Sequence, residues 1–292
     1  MKDILEKRAA IVRGIRKFFD DRGFIEVETA VRIPAPAPEE HIDCPPVVGG
    51  GYLRASPELQ MKKLLAAGMD KIYQIGPCFR EGEKGSRHNP EFTMIEWYRR
   101  GATYLDIKSD LEELIDRLFA GNREQGMGIR VLKVRDAYRE YAGWDPWVGS
   151  WDQDRFDFDM VTKIEPAIKS IGGGVFLMDY PPQAASLSKL SKPSKRPNFP
   201  NFTYAERWEF YWDGFELANC FTELCDSDEQ RVRFEAAKKS RILLKESDYP
   251  IDNEFIECLP RIGSAAGVAL GIDRLVMVLT KTKEISAVRA SL

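Results

Sequence analysis

The sequence has few of the residues that build metal or disulfide sites. Among its 292 residues there are five cysteines and only two histidines. The cysteine number is odd and no two cysteines follow the CxxC spacing, so neither a disulfide framework nor a zinc site is indicated. We interpret the cysteines as scattered, reduced core thiols: Cys44, Cys78, Cys220, Cys225 and Cys258.

Long apolar runs and an excess of one charge are also missing. No stretch approaches the roughly 18–20 uncharged apolar residues that a membrane-spanning helix needs. The N-terminal segment alternates charged and apolar residues, which is not the pattern of a secretory signal. The net charge is −3, whereas dedicated nucleic-acid binders usually carry a strong basic excess. We therefore predict a cytoplasmic protein that makes no membrane contact, although a local basic patch is compatible with this charge.

The composition that is present, 43% apolar and 30% charged residues, is typical of a globular protein with a large core. Periodicity and turn residues predict helices around short antiparallel strands without regular βαβ alternation, which is the α+β class. The predicted helices cover residues 2–22, 56–68, 105–120 and 230–244 and begin again at 273, with Ser56 capping a helix whose first residue is Pro57. The predicted strands include 71–75, 92–98 and 267–271.

Residues 121–200 are weakly patterned, and we predict irregular, surface-leaning structure there. The chain's compact basic run lies in this segment, at 188–197, among proline and serine residues. Such a composition is typical of a solvated loop. A docking site for an acidic partner is the alternative interpretation of the same run.

The first candidate site is a charged loop between two predicted strands, residues 78–98. The loop carries donors suited to a polyphosphate: Arg80, Lys84, Arg87 and His88. On the following strand, alternation places four side chains on one face: Phe92, Met94, Glu96 and Tyr98. A carboxylate and a phenol beside an aromatic ring suit an amine-bearing substrate next to a stacked base. A solvent-facing hairpin with ordinary salt bridges is the alternative.

The second candidate site is a predicted hairpin over residues 207–224, with Asp213 and Gly214 as a two-residue turn. This turn sets Trp212 opposite Phe215, Tyr211 opposite Glu216, and Glu209 opposite Ala218. Glu209 and Glu216 then share one face, where two carboxylates would repel each other without a cation. Magnesium with ATP phosphates fits, because Mg²⁺ takes one or two protein carboxylates plus phosphate oxygens. An exposed sheet face is the alternative.

The third candidate site is a glycine-containing strand that runs into a helix, residues 267–277. Its small residues allow close approach of the backbone, and Arg274 lies at the start of the helix. An arginine in this position can hold a phosphate with two hydrogen bonds. A strand-to-helix joint of this kind is common, so by itself it indicates little.

Taken in order, these stretches resemble the signature motifs of class II aminoacyl-tRNA synthetases, and in particular the lysyl branch. FREGEKGSRHNPEFTMIEWY is similar to motif 2, GVALGIDRLVM to motif 3, and RGFIEVETA to motif 1, the dimer-forming element. RASPELQMKKLL and ELANCFTEL resemble the lysine-site segments of that branch. The resemblance covers nearly the whole chain and implies one catalytic domain over 1–292, with an antiparallel sheet flanked by helices, and a homodimer.

The resemblance also implies a role for each matching residue. Arg80 and Arg274 would be catalytic, holding the substrate carboxylate and the phosphates. ATP would contact Arg80, Glu81, Gly82, Glu83, His88, Asn89, Phe92, Glu216, Leu217, Gly271 and Arg274. The amino acid would contact Ser56, Pro57, Glu58, Glu96, Tyr98, Asn219, Glu223 and Ala269. Mg²⁺ would be held by Glu209 and Glu216.

The sequence offers no room for the OB-fold domain with which lysyl-tRNA synthetases read the anticodon, so no anticodon recognition is expected. This architecture resembles the elongation factor P ligases, which activate (R)-β-lysine with ATP and transfer it to a lysine of elongation factor P. Ala269 supports this interpretation, because the lysyl-tRNA synthetases have glycine there and a methyl group would narrow the amino-acid pocket. The alternatives are a synthetase fragment that charges a tRNA acceptor, and an inactive paralogue that senses a ligand.

Three departures from the family pattern qualify these assignments. Gly82 stands where motif 2 has a glutamate, and Glu83 is the candidate replacement. Ala30 stands where motif 1 ends in proline. Strict alternation also places Asn219 and Glu223 on the face opposite Glu216. A shared site therefore requires a β-bulge between Glu216 and Asn219.

Overall fold

The chain is built around one large sheet with helices on both faces. The computed structural model describes residues 2–119, 128–193, 201–244 and 246–290. In this part of the chain the strands are β1 (Ile25–Glu26), β2 (Arg32–Ile33), β3 (Tyr52–Leu53), β4 (Lys71–Phe79), β5 (Glu91–Arg100), β6 (Ile129–Lys133), β7 (Gly174–Tyr180), β8 (Ala205–Trp212), β9 (Phe215–Thr222) and β10 (Ala265–Gly271). The α-helices are α1 (Lys2–Asp20), α2 (Glu58–Ala66), α3 (Tyr104–Leu118), α4 (Val134–Ala137), α5 (Gln153–Asp159), α6 (Glu165–Ile171), α7 (Ser227–Leu243), α8 (Asn253–Ile262) and α9 (Ile272–Thr280).

The main sheet has eight strands in the order β1-β4-β5-β10-β9-β8-β7-β6. Only the outermost pairs, β1 with β4 and β6 with β7, are parallel. The pairs between them are antiparallel. The predicted α+β class, with an antiparallel sheet flanked by helices, is confirmed. None of the helices described is long and apolar enough to cross a membrane.

The largest hydrophobic core lies between one face of the sheet and helices α1, α3 and α9. Strand β5 supplies Ile95 and Trp97 to this core, and Phe19 of α1 lies 5.1 Å from Trp97 between ring centroids. Because side chains alternate along a strand, Glu96 and Tyr98 must face the other side. The predicted two-faced pattern of β5 is therefore confirmed, and the second face of the sheet is left for the site.

Most of the predicted elements are present, with bounds that differ by a few residues. Helix α2 begins at Glu58 rather than Pro57, because Pro57 is itself the N-cap residue. Ser56 still helps at this end, since its hydroxyl accepts a hydrogen bond of 3.0 Å from the backbone N–H of Glu58. The five cysteine side chains are free thiols, and all except Cys225 are buried.

The prediction of irregular surface structure for 121–200 is wrong for the described part, 128–193. This part contributes β6 and β7 to the main sheet and helices α4 to α6 to its second face. All seven residues of β7 are buried. A strand covered on both faces reads as a continuous apolar run rather than an alternating one, so the sequence showed no period of two.

The basic run at 188–197 also differs from the predicted solvated loop. Ser188 and Ser191 are buried, and Ser188 and Leu190 form isolated β-bridges with Glu223 and Ala205. Backbone pairing therefore fixes the first residues of the run against the start of β8 and the end of β9. Lys195 and Arg196, on which a docking role would depend, lie outside the described residues.

Candidate active site

A cavity of about 410 Å³ lies on the second face of the sheet and is lined by residues from all three candidate sites. Strand β5 contributes Phe92, Met94, Glu96 and Tyr98 to its wall. Strands β9 and β10 contribute Glu216, Asn219 and Ala269, and the loop before β5 contributes Arg80, Glu83 and His88. Motifs that are far apart in the sequence therefore meet in one cavity.

One end of the cavity carries the positive charge. The Arg80 guanidinium carbon lies 5.2 Å from the centre of the Phe92 ring, and Nη1 of Arg80 lies 3.5 Å from Oε1 of Glu83. The buried Nε of Arg80 has no hydrogen-bond partner in the described structure. An arginine held over an aromatic ring with a free donor is poised to bind an anion.

Arg274 reaches the same end of the cavity from the start of α9. Its Nη1 donates a hydrogen bond of 2.9 Å to the backbone carbonyl of Glu216, and its Nη2 lies 2.6 Å from Nε2 of His88. Burial and then the charge of Arg274 lower the pKa of His88. The imidazole is thus neutral near pH 7 and accepts a hydrogen bond from Arg274, which fixes the guanidinium in place.

Glu209 and Glu216, the two glutamates of the 207–224 hairpin, both line this cavity because the pairing of the hairpin is not regular. Tyr211 pairs with Glu216 and Trp212 with Phe215, as predicted, but Glu209 pairs with Asn219 rather than Ala218. The register shifts between Phe210 and Tyr211, which leaves Leu217 as an extra residue on β9. This bulge is the one that a shared site required between Glu216 and Asn219, and it turns Asn219 towards the cavity.

Glu209 and Glu216 fit a magnesium site completed by phosphate oxygens. Glu209 accepts hydrogen bonds of 2.7 Å from Arg207 and from the Tyr211 hydroxyl, which hold its carboxylate in one orientation. Burial and then the negative charge of Glu209 raise the pKa of Glu216. Mutual repulsion of this kind is relieved by a divalent cation, which needs only one or two protein carboxylates when phosphates supply other ligands.

The opposite end of the cavity is acidic. Glu96 accepts hydrogen bonds of 2.5 Å from the Ser56 hydroxyl and 2.7 Å from the Tyr98 hydroxyl. At the same end, Lys62 donates a hydrogen bond of 2.5 Å to the Glu58 carboxylate and also contacts the carboxylate of Glu223. Burial raises the pKa of Glu96 to about 7 and that of Glu223 to about 8.

Lys62 is a member of this end that the sequence analysis missed. It is 1% exposed, and although burial opposes its charge, Glu223 and Glu58 outweigh burial and raise its pKa. When Glu58, Glu96 and Glu223 are ionised, three carboxylates face one ammonium, so two negative charges are uncompensated. Two is the number of positive charges that the amino groups of a diamino acid supply.

The backbone of β10 passes close beneath Tyr98. A Cβ atom at Gly267 would lie 2.1 Å from Cδ1 of the Tyr98 ring, so only glycine lets this ring lie against the strand. Ala269 pairs with Glu96 on one side and with Asn219 on the other, which places its methyl group between the carboxylate and the amide.

The predicted site residues are mostly brought together. The residues of that set that line the cavity are Ser56, Glu58, Arg80, Glu83, His88, Asn89, Phe92, Glu96, Tyr98, Glu209, Glu216, Leu217, Asn219, Ala269, Gly271 and Arg274. Glu223 lies just behind the wall, held by Lys62. Glu81 and Gly82 are exposed at the hairpin turn and Pro57 precedes α2, so these three residues do not line the cavity.

Two further residues could have been found from local spacing. Arg207 precedes Glu209 by two residues and therefore lies on the same face of β8. It also donates a hydrogen bond of 3.1 Å to the side-chain oxygen of Asn219. Lys62 follows Glu58 by four residues on α2, the spacing at which side chains on a helix meet. Its second partner, Glu223, could not be predicted from local spacing.

The fold and the site together define a class II aminoacyl-tRNA synthetase catalytic domain. The sequence model of the family described as tRNA synthetases class II (D, K and N) matches residues 1–290, and the chain belongs to this family.

Within the family, the chain is similar to curated proteins named elongation factor P–(R)-β-lysine ligase. The relative from Proteus mirabilis is 35% identical over 318 residues, 98% of this chain and 94% of the relative. The relative from Sodalis glossinidius is 36% identical over 314 residues, with the same coverage. A third, from Photobacterium profundum, is 35% identical over 317 residues, again at 98% and 94% coverage. The predicted family resemblance is confirmed.

Proposed function

We propose that this chain is a ligase that uses ATP to activate a lysine-type diamino acid, (R)-β-lysine, and transfers it to a lysine of elongation factor P. The observation that carries the proposal is the division of charge in one cavity. Two arginines, Arg80 and Arg274, lie at one end, and at the other end lies an acidic pocket that has two uncompensated charges when its carboxyls are ionised. A substrate that fits both ends has two ammonium groups and a carboxylate directed at ATP. The names of the relatives support (R)-β-lysine and elongation factor P as the two substrates.

The first step joins the amino acid to AMP. The substrate carboxylate attacks the α-phosphate of ATP, forms the acyl-adenylate and releases pyrophosphate. Arg80 and Arg274 would neutralise the charge that develops on the phosphate, and Phe92 with Arg274 would hold adenine between them. When bound at Glu209 and Glu216, Mg²⁺ supplies further neutralisation of the phosphates. Positioning and charge suffice for this step, so no side-chain nucleophile is required.

The proposal also covers the remaining site residues and the assembly. Glu83, His88 and Asn89 are proposed to contact ATP, and Asn219 the substrate carboxylate. We propose a single catalytic domain, because one sheet collects strands from Ile25 to Gly271. Pairing of two chains through the motif-1-like segment is proposed as well. Ile25 of β1, which is 55% exposed, supports a partner on that edge.

Amino-acid-dependent exchange of pyrophosphate into ATP tests the proposed function. The assay compares α-lysine with (R)-β-lysine and is followed by transfer of the labelled amino acid to elongation factor P. We expect a preference for (R)-β-lysine and a labelled acceptor protein. Labelled aminoacyl-tRNA would favour the tRNA-charging alternative. No exchange with any diamino acid would favour the ligand sensor.

Replacing Ala269 with glycine should shift the amino-acid preference towards α-lysine. The methyl group lies between Glu96 and Asn219, so its removal makes room for an amino group at the α-carbon. We expect the ratio of kcat/KM values for (R)-β-lysine over α-lysine to fall by about tenfold, the usual scale for one methyl group in a pocket. The measurement is pyrophosphate exchange with both amino acids. An unchanged ratio would show that Ala269 does not set the preference.

Binding of the diamino acid should strengthen as the pH rises from 6 to 8.5. Burial raises the pKa of Glu96 to about 7 and of Glu223 to about 8, so both are largely protonated at pH 6. An ammonium binds the ionised carboxylate, so the KM for the amino acid should fall by about tenfold as these groups lose their protons. Pyrophosphate exchange at several pH values measures this. In Glu96→Gln the part of the change centred near pH 7 should disappear, and its persistence there would contradict the assignment.

A further inference from the structure

A second cavity of about 570 Å³ opens beside the first. It lies between α7, α5 and the segment that follows β7, and its floor includes Arg207, Glu209 and Glu216. These three residues also line the first cavity, so the two spaces meet at the carboxylates of the 207–224 hairpin. None of the functions assigned above uses the second cavity, which we name the side chamber.

The side chamber contains a polar group without a partner. Gln230 lies in the first turn of α7, is 1% exposed and lines the chamber. Neither the oxygen nor the nitrogen of its amide has a hydrogen-bond partner among the described residues. A buried amide left unpaired is costly, so such a group indicates a missing ligand. A side-chain amide presents an N–H donor beside a C=O acceptor, which matches the C=O and N–H of a peptide backbone.

The charges of the side chamber favour a cation. Glu39, Glu40, Asp157 and Glu165 line it. Its two arginines are already paired with carboxylates, Arg207 with Glu209 on the floor and Arg233 with Glu229 on α7. Burial and then a neighbouring carboxylate, Glu58 for Glu39 and Glu216 for Glu165, raise the pKa values of these two groups, so a cation beside them would favour their ionised form. Such a surface repels pyrophosphate and attracts an ammonium group.

We propose that the side chamber receives the acceptor lysine together with the peptide segment that carries it. This inference rests on the proposed function and assigns the acceptor's route. The Gln230 amide bonds a peptide group of the segment, and the chamber carboxylates attract the lysine ammonium towards the junction at Glu209 and Glu216. There the amine, having lost one proton to solvent, attacks the acyl carbon of the adenylate. The new C–N bond forms as the C–O bond to the phosphate breaks, AMP leaves with the electron pair, and a second proton passes to solvent.

Two variants of α7 test the route without touching the adenylation residues. Gln230→Leu replaces the amide with an apolar side chain of similar size. A buried position whose polar group has no partner tolerates this change. Ala237→Trp fills the chamber from its α7 wall, and Glu235→Leu on the exposed side of the same helix is the matched control. In single-turnover reactions of the full chain, both chamber variants should transfer the amino acid to elongation factor P at least about tenfold more slowly at low acceptor concentration.

Two companion measurements separate this inference from the proposed function. Pyrophosphate exchange should stay within about twofold of wild type. Hydroxylamine is small enough to reach the adenylate without docking, and it should discharge both variants at the wild-type rate. If the wild type makes adenylate but does not modify elongation factor P, the proposed function fails. If the wild type modifies it and both chamber variants do so at the control's rate, the side chamber is not the acceptor's route.

Discussion

Replacing Arg80 with alanine should lower kcat/KM for ATP–pyrophosphate exchange by about a hundredfold to a thousandfold, the scale seen when a preorganised transition-state donor is lost. Its guanidinium lies over Phe92 and keeps a buried N–H free of any described partner. The negative charge that develops on the α-phosphate is the group this donor is placed to meet. Without it, the carboxylate and the phosphate would have to approach each other with one positive charge fewer to offset their repulsion.

A positive charge at position 80 should not by itself be enough for the full rate of exchange. Arg80→Lys keeps the positive charge but loses the planar fork that can bind two oxygens at once, so we expect it to recover only a small part of the rate. Arg100→Ala, on β5 outside the cavity, is the control for the loss of an arginine and should leave exchange unchanged. Exchange by Arg80→Ala within tenfold of wild type would remove Arg80 from the proposed catalytic role.

Replacing Glu223 with glutamine should damage both stability and amino-acid binding. At pH 9, above its raised pKa of about 8, Glu223 is ionised and buried against Lys62, and removing one partner of a buried ion pair costs about 3–5 kcal/mol in the free energy of unfolding. The pocket would keep only one uncompensated negative charge for two ammonium groups. We therefore expect the KM for the diamino acid to rise by about a hundredfold. Urea unfolding and pyrophosphate exchange measure the two effects separately.

A second substitution distinguishes charge balance from simple loss of a contact. Lys62→Met together with Glu223→Gln removes both buried charges and leaves Glu58 and Glu96, which again supply two negative charges. The double variant should regain most of the stability and part of the affinity for the diamino acid. The residual loss would report the direct contact between Glu223 and the substrate. A double variant no better than Glu223→Gln in either assay would contradict the charge-balance interpretation.

Local features were predictable from the sequence because their causes are local. The face of β5 that carries Glu96 and Tyr98 follows from alternation with Ile95 and Trp97. The turn at Asp213 and Gly214 follows from the φ angles it needs, which are positive at both residues. The need for a bulge near Leu217 followed from requiring one site for Glu216 and Asn219. The sequence did not show where on the opposite strand the register would shift. Glu209 was therefore predicted to pair with Ala218, whereas it pairs with Asn219.

Other features depend on contacts between distant segments. The strand β7 gave no alternating pattern because it is covered on both faces by elements from elsewhere in the chain. The start of the basic run looks solvated in the sequence, yet backbone bridges pair Ser188 with Glu223 and Leu190 with Ala205, and Ser188 is buried. In both cases another segment of the chain supplies the contacts, and neither composition nor periodicity records that segment.

The sequence by itself determined the α+β class, the three motifs and the chemistry of most site residues, because residue type, spacing and turn geometry act over a few positions. Only the tertiary structure decided that Lys62 would neutralise Glu223, that Arg207 beside Glu209 would also reach Asn219, and that a second cavity would open behind them. Such arrangements follow from packing in three dimensions. Burial then sets their consequences, since a charge removed from water depends on the partner that the fold brings to it.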